Sequence, residues 1–390
     1  MKTKKLKLGL AYTALTTMAF AGVHSACAQQ IVTNLSIPSY TAASIAVNPA
    51  QNKIYLSGGF SSAQPIIVVN GATFGQTSVG NGMGADVDVT NNNYWSGGCY
   101  SDNVTAWNSA NTALSSPSTG CGCACFTSVD ATHRRVWVGA QCCDSIYVFN
   151  ADTYALVAGP ISPNGVGGTV LANPATGRAY FTSSAGSQRV NPSTFAVTAN
   201  TFSSVFSVNA SANLLYATPD GMNIQIINGA PDPEVVLTNI TMPFPFGGGE
   251  YMRYCVNPVL NRIYIGCSTN GTVAILNATT GQTIKTFSLG AGVTGVVTIA
   301  VDSTRNMVYA IAYQGSSVFL YVVQDSTGPS LGIAPYGNQS VLFWPASATN
   351  VVLQTTTNLT TPNWVTASNG TPFNAVAFTN SSPAQFFRLH

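Results

Sequence analysis

Between Val256 and Thr280 the chain reads VNPVLNRIYIGCSTNGTVAILNATT, a series of short apolar runs broken by Asn, Pro, Gly and Thr. Apolar residues alternating at period two mark half-buried strands, and the polar residues between them mark reversals. The phrase therefore predicts three consecutive strands, a, b and c, with c closing on Asn277. Strand c recurs as PIIVVN to Asn70, VTAWN to Asn108, SIYVFN to Asn150, SQRVN to Asn191, IQIIN to Asn228 and VFLYVVQ to Gln324. Successive closing residues lie 38, 42, 41, 37, 49 and 47 positions apart. A period near 40 built of short strands signals propeller blades rather than a helical solenoid.

The a–b hairpin repeats as well. IAVNPAQNKIYLSGG returns as SVDATHRRVWVG, VLANPATGRAYFT, SVNASANLLYAT, CVNPVLNRIYIG and IAVDSTRNMVYAIA, with a shorter version at DVDVTNNNYWSGG. Each unit gains a strand d after the Asn, except the seventh, where none follows Gln324. An orphan strand, Ile31 to Ile37, stands near the other end of the chain. Pairing the two would close a ring and remove two open sheet edges.

Val-Asn-Pro with Lys-Ile-Tyr-Leu at 47–56, Asn-Arg-Ile-Tyr-Ile at 261–265 and Asn-Ala-Thr-Thr-Gly at 277–281 resemble the YVTN family of β-propeller repeats. The resemblance covers about Ile31 to Asp325, implies a fold and carries no activity with it. Asn91 to Trp95 and Pro231 to Glu234 depart from the pattern.

After a turn-rich linker at 326–330 the repeat stops, and residues 331–390 give SVLFWP, NVVLQTTT, NWVTAS, AVAFT and QFFRLH between Pro, Asn and Gly turns. Short strands so spaced predict a β-sandwich-like module. It resembles C-terminal modules of secreted bacterial proteins, which implies a role in export, attachment or assembly; a stabilising cap is the alternative. The expected fold class is all-β, a seven-bladed β-propeller over 29–325 followed by this module.

Lys2, Lys4, Lys5 and Lys7, the apolar run Leu8 to Val23 and Ala26-Cys27-Ala28 predict a signal peptide at 1–28. Its removal takes four of the 14 basic residues, leaving 10 against 12 acidic ones, a net charge of −2. With only 7% charged and 46% hydrophobic residues the chain is expected to fold and to avoid nucleic acid, which many Lys and Arg would have to neutralise. No second hydrophobic span follows, so a secreted, cell-surface or periplasmic protein without a transmembrane segment is expected.

Eight cysteines remain after cleavage, and an exported chain pairs them. In an up-and-down blade the d–a and b–c connections emerge on one face. Cys99, Cys121, Cys123, Cys125, Cys142 and Cys143 should therefore share a rim and form three bridges between loops. Cys255 and Cys267 are a further candidate pair, although Cys255 should stand opposite Tyr264. A thiolate metal or redox site is the rival use of this cluster.

Histidines are few: His24 leaves with the leader, His133 falls in an a–b turn and His390 is terminal. That disfavours hydrolase mechanisms built on histidine, and no catalytic residue, metal or cofactor is assigned. Asp130, Asp302, Asp152 and Asp325 are expected to cap turns. Lys53, Arg134, Arg135, Arg178, Arg262 and Arg305 recur at a–b turns, either as solvated turns or as a basic ring for an acidic glycan. The insertion MPFPFGGGEYMRY places Phe244, Phe246, Glu250, Tyr251 and Arg253 on the cysteine-bearing face as a candidate ligand platform. These features favour a secreted, non-enzymatic binding scaffold for a glycan or cell-surface protein. The rival is a propeller enzyme of the lactonase, lyase or quinoprotein-like kind.

Overall fold

The alternating segments fold as antiparallel strands throughout. The computed structural model describes residues 29–39, 44–58, 64–98, 101–165, 169–183, 186–202, 204–244, 254–325, 332–336, 339–343, 352–368, 375–379 and 385–389. The expected leader at 1–28, the expected linker at 326–330, Cys99, Phe246, Glu250, Tyr251 and Arg253 lie outside these residues. Among the described residues no helix is long and apolar enough to cross a membrane.

Residues 29–325 form one compact unit and the chain from Ser326 belongs to another. Among its described residues the first holds seven four-stranded antiparallel sheets. Sheets one to six run in chain order over 44–81, 83–115, 124–161, 170–199, 204–241 and 254–288. The seventh takes Val293–Asp302, Met307–Gln314 and Ser317–Asp325 from the end of the repeat and Gln29–Ile37 from its beginning. Gln29 stands opposite Asp325 and Ile37 opposite Val318, with a bulge between Ile31 and Thr33. The orphan strand thus supplies the missing fourth strand.

Each sheet packs on the next through its own apolar cluster, and the series returns on itself. Ile54, Leu56 and Ile67 of sheet one pack with Tyr309, Ile311 and Leu320 of sheet seven. The first strand of sheet one contacts those of sheets two and seven. A cycle of twisted four-stranded sheets is consistent with a β-propeller. Every second strand carries a buried aromatic residue near its start, the third residue in six sheets and the second in sheet four: Tyr55, Trp95, Trp137, Tyr180, Tyr216, Tyr264 and Tyr309.

Turn chemistry explains the repeated polar letters. Strand a ends on a buried Asx residue, Asn48, Asp88, Asp130, Asn173, Asn209, Asn257 or Asp302. Its side-chain oxygen accepts hydrogen bonds from backbone N–H groups two or three residues on, as at Asn257 with Val259 (3.0 Å) and Leu260 (3.1 Å). A residue just ahead of strand b is left-handed in each of the seven sheets, with φ from 49° to 72° at Asn52, Asn92, Arg134, Gly177, Asn213, Asn261 and Asn306. Asn and Gly adopt that conformation most readily. The Asn that closes strand c in sheets one to six holds the following turn by accepting backbone N–H groups at 2.8–3.0 Å.

The second unit contains two three-stranded antiparallel sheets. One runs Gly332–Tyr336, Gln339–Phe343, Ala375–Thr379, and the other Val365–Ser368, Leu353–Thr356, Phe386–Leu389. Both contribute to one small core around Leu342 and Leu353.

Candidate functional site

Each basic turn residue reaches another residue, most across to the neighbouring sheet, while Arg305 also stays 40% exposed. Lys53 donates to the Ser109 carbonyl, Arg135 to that of Pro192 (2.5 Å) and Arg305 to that of Pro49 (2.5 Å). Arg178 of sheet four meets Glu234 of sheet five at 3.1 Å, and Tyr180, two residues on, donates to the same carboxylate at 2.9 Å. Arg189 joins them, 2.7 Å from Glu234 and 2.5 Å from Asp232. Between sheets six and seven the same Arg-x-Tyr spacing recurs. Arg262 meets Asp325 at 2.5 Å, and Tyr264 donates to the other carboxylate oxygen. Gln29 of the closing strand adds a bond to Asp325 at 2.8 Å.

Asp325 is therefore the hub of a buried ionic clasp rather than a turn cap. Asp130 and Asp302 do cap their turns, by accepting the His133 N–H (3.0 Å) and the Thr304 and Arg305 N–H groups (2.9 and 3.1 Å). Asp152 instead pairs with Arg134 at 2.7 Å, which also grips the buried Asp88 at 2.7 Å. His133 stays on its own turn, 2.8 Å from Asp130, with its ring over Gly177. The cluster of Arg189, Asp232 and Glu234 was not anticipated, though the break in the repeat at Pro231 to Glu234 was its signal.

The cysteine rim forms as two disulfides, Cys121–Cys143 and Cys123–Cys142, with Cα separations of 6.2 and 5.5 Å. Both join the connection ahead of sheet three to the b–c turn of that sheet, so the two kinds of loop do share an edge. The same connection hydrogen-bonds to sheet two, through Thr119 N–H to Asp102 O (2.7 Å) and Ser118 Oγ to Asp102 Oδ2 (2.7 Å). Cys125 is buried within Ala124–Asp130 beside Met83 and Cys123. Cys255 and Cys267 are unbridged thiols, against expectation. The reason is register: Cys255 faces Tyr264 across the hairpin, while Cys267 lies past Gly266 at the end of the next strand. Among the described residues no group of three or more His, Cys, Asp or Glu is placed to hold a metal ion.

Of the insertion, Phe244 is described, and it packs against the core between sheets five and six rather than standing free. The expected platform is not assembled from the described residues.

A different feature is. The first strands of six sheets surround a cavity of about 270 Å³, lined by Ser44, Ile45, Phe126, Thr169, Phe206, Ser207, Tyr254, Cys255, Val256 and 298–301. On the same strands Asp86 and Ser128 close on their neighbours: Asp86 Oδ2 accepts the Val129 N–H (2.7 Å) and Ser128 Oγ that of Ala172 (2.9 Å). Burial raises the Asp86 carboxyl to about 6, opposed by its bonds from Val129 and Val87 and assisted by nearby Asp88. Burial also pushes the Cys255 thiol up, so it stays protonated at neutral pH.

No protein-family model matches this chain, and none of the curated proteins resembles it.

Proposed function

We propose that the chain is an exported, non-enzymatic seven-bladed β-propeller that presents loops for binding a glycan or a cell-surface protein. Residues 331–390 form a β-sandwich-like accessory module. The observation that carries the reading is the double staple at Cys121–Cys143 and Cys123–Cys142. Disulfides persist in oxidising compartments and narrow the freedom of the loops they join. Preordered loops bind at a smaller entropic cost. The closed cycle of seven sheets and the YVTN-like repeats support the scaffold, and the use of acids and arginines between sheets gives those residues structural work. N-terminal sequencing of exported protein should return Gln29.

Glycan-array and cell-binding profiles of the mature protein test the rim. Two variants accompany it, one lacking 243–249 and one carrying Gln141→Arg beside the staple. Reduced binding in either variant supports the loop face, and three superimposable profiles overturn it.

A further inference from the structure

The cavity among the first strands combines two kinds of wall. Phe126, Phe206, Ile45 and Ile299 supply apolar surface. Ser44 of sheet one, Ser207 of sheet five and Thr169, just ahead of sheet four, supply hydroxyls that make no side-chain hydrogen bond to any described residue. The Cys255 thiol is likewise unbridged there. This departs from the habit of the same strands elsewhere, where Ser128 takes the Ala172 N–H and Thr127 donates to Gly84 O (2.6 Å).

The chemistry of a fitting occupant follows. An apolar guest would displace water from the hydroxyls and leave them without partners, which is unfavourable. A charged guest would find no counter-charge, since no charged side chain lines the cavity among the described residues. Hydroxyls both donate and accept, so a guest bearing several hydroxyls satisfies them in either sense. The aromatic wall suits the C–H faces of such a guest. Size narrows the choice: 270 Å³ holds about nine waters at ~30 Å³ each and lies just under the ~300 Å³ lower bound of drug-sized sites.

We propose that this cavity is a binding site for a small uncharged polyhydroxy ligand of monosaccharide size. The site is distinct from the loop rim, so either can fail without the other.

Ligand-observed NMR on the mature protein, with methyl glucoside and methyl galactoside as neutral probes, glucuronate and glucosamine as charged ones and toluene as an apolar one, tests the class. A neutral glycoside should bind, and the charged and apolar probes should not. The paired change Thr169→Ala and Ser207→Ala should weaken binding about tenfold, and Ala300→Phe should abolish it by filling the cavity. Because Ala300→Phe risks misfolding, its melting curve is recorded, and the paired variant decides if that curve is shifted. Absence of binding by every neutral probe, preference for the charged or apolar probes, or binding unchanged in the paired variant would overturn the proposal.

Discussion

The junction between sheets four and five and the junction between sheets six and seven use the same Arg-x-Tyr pair, yet they neutralise it differently. At the first, Arg178 and Arg189 face Glu234 and the half-exposed Asp232, two charges against two. At the second, one arginine faces one aspartate, with side-chain exposures of 6% and 1%. A shared cluster with a solvated member tolerates the loss of one acid better than a cluster built on a single buried carboxylate. The second junction is also where the ring closes, because Gln29 bonds to the same Asp325.

Asp325→Ala removes the buried carboxylate that Arg262, Tyr264 and Gln29 share and should cost about 3–5 kcal/mol in urea denaturation, together with earlier protease access to Gln29–Ile37. Glu234→Ala should cost less, about 2–3 kcal/mol, since Asp232 still faces both arginines. Equal losses would show that the two junctions are not distinguished by their neutralisation.

The junction between sheets two and three adds a titrating version of the same problem. Asp86 has a folded value near 6 against an ordinary 3.8, so the folded state holds the proton more tightly. Stability from that proton is complete below the ordinary value and is lost as pH rises through about 6. Asp86→Ser copies the neutral contact made by Ser128. It should gain on the order of 2 kcal/mol relative to wild type between pH 4 and pH 7. A pH-independent difference would break the parallel between Asp86 and Ser128.

The smallest effect belongs to Asp232→Ala, at about 0–1 kcal/mol in the same denaturation, because the carboxylate is 52% exposed. A larger loss would mean that Asp232, not Glu234, neutralises the cluster.

Much of the fold was legible in the letters. Period-two alternation placed the hairpins, and the Asx residues at 48, 173 and 257 announced turns that the structure holds by side-chain hydrogen bonds. The Cys255 register opposite Tyr264 followed from counting across one hairpin. The functional residues were less legible. Lys53 and the arginines looked like solvated turn residues because nothing nearby in sequence shows that the next sheet brings a carbonyl or carboxylate to them. Of the five residues of the expected platform Phe244 alone is described, and it packs, partly buried, against the core.

By itself the sequence determined what each hairpin is: where strands alternate, which residues turn the chain, and that a strand near Ile31 was left over to complete a sheet. Those outcomes depend on residues within one repeat, where spacing dictates which atoms meet. Only the tertiary structure decided which repeats face each other. Arg262 and Asp325 stand 63 positions apart and Gln29 and Asp325 stand 296 apart, distances at which no local periodicity operates. The cavity belongs to this second kind of fact. Ser44 and Ser207 are ordinary strand residues, and Thr169 an ordinary residue just ahead of one, until the sheets come together around the space they share.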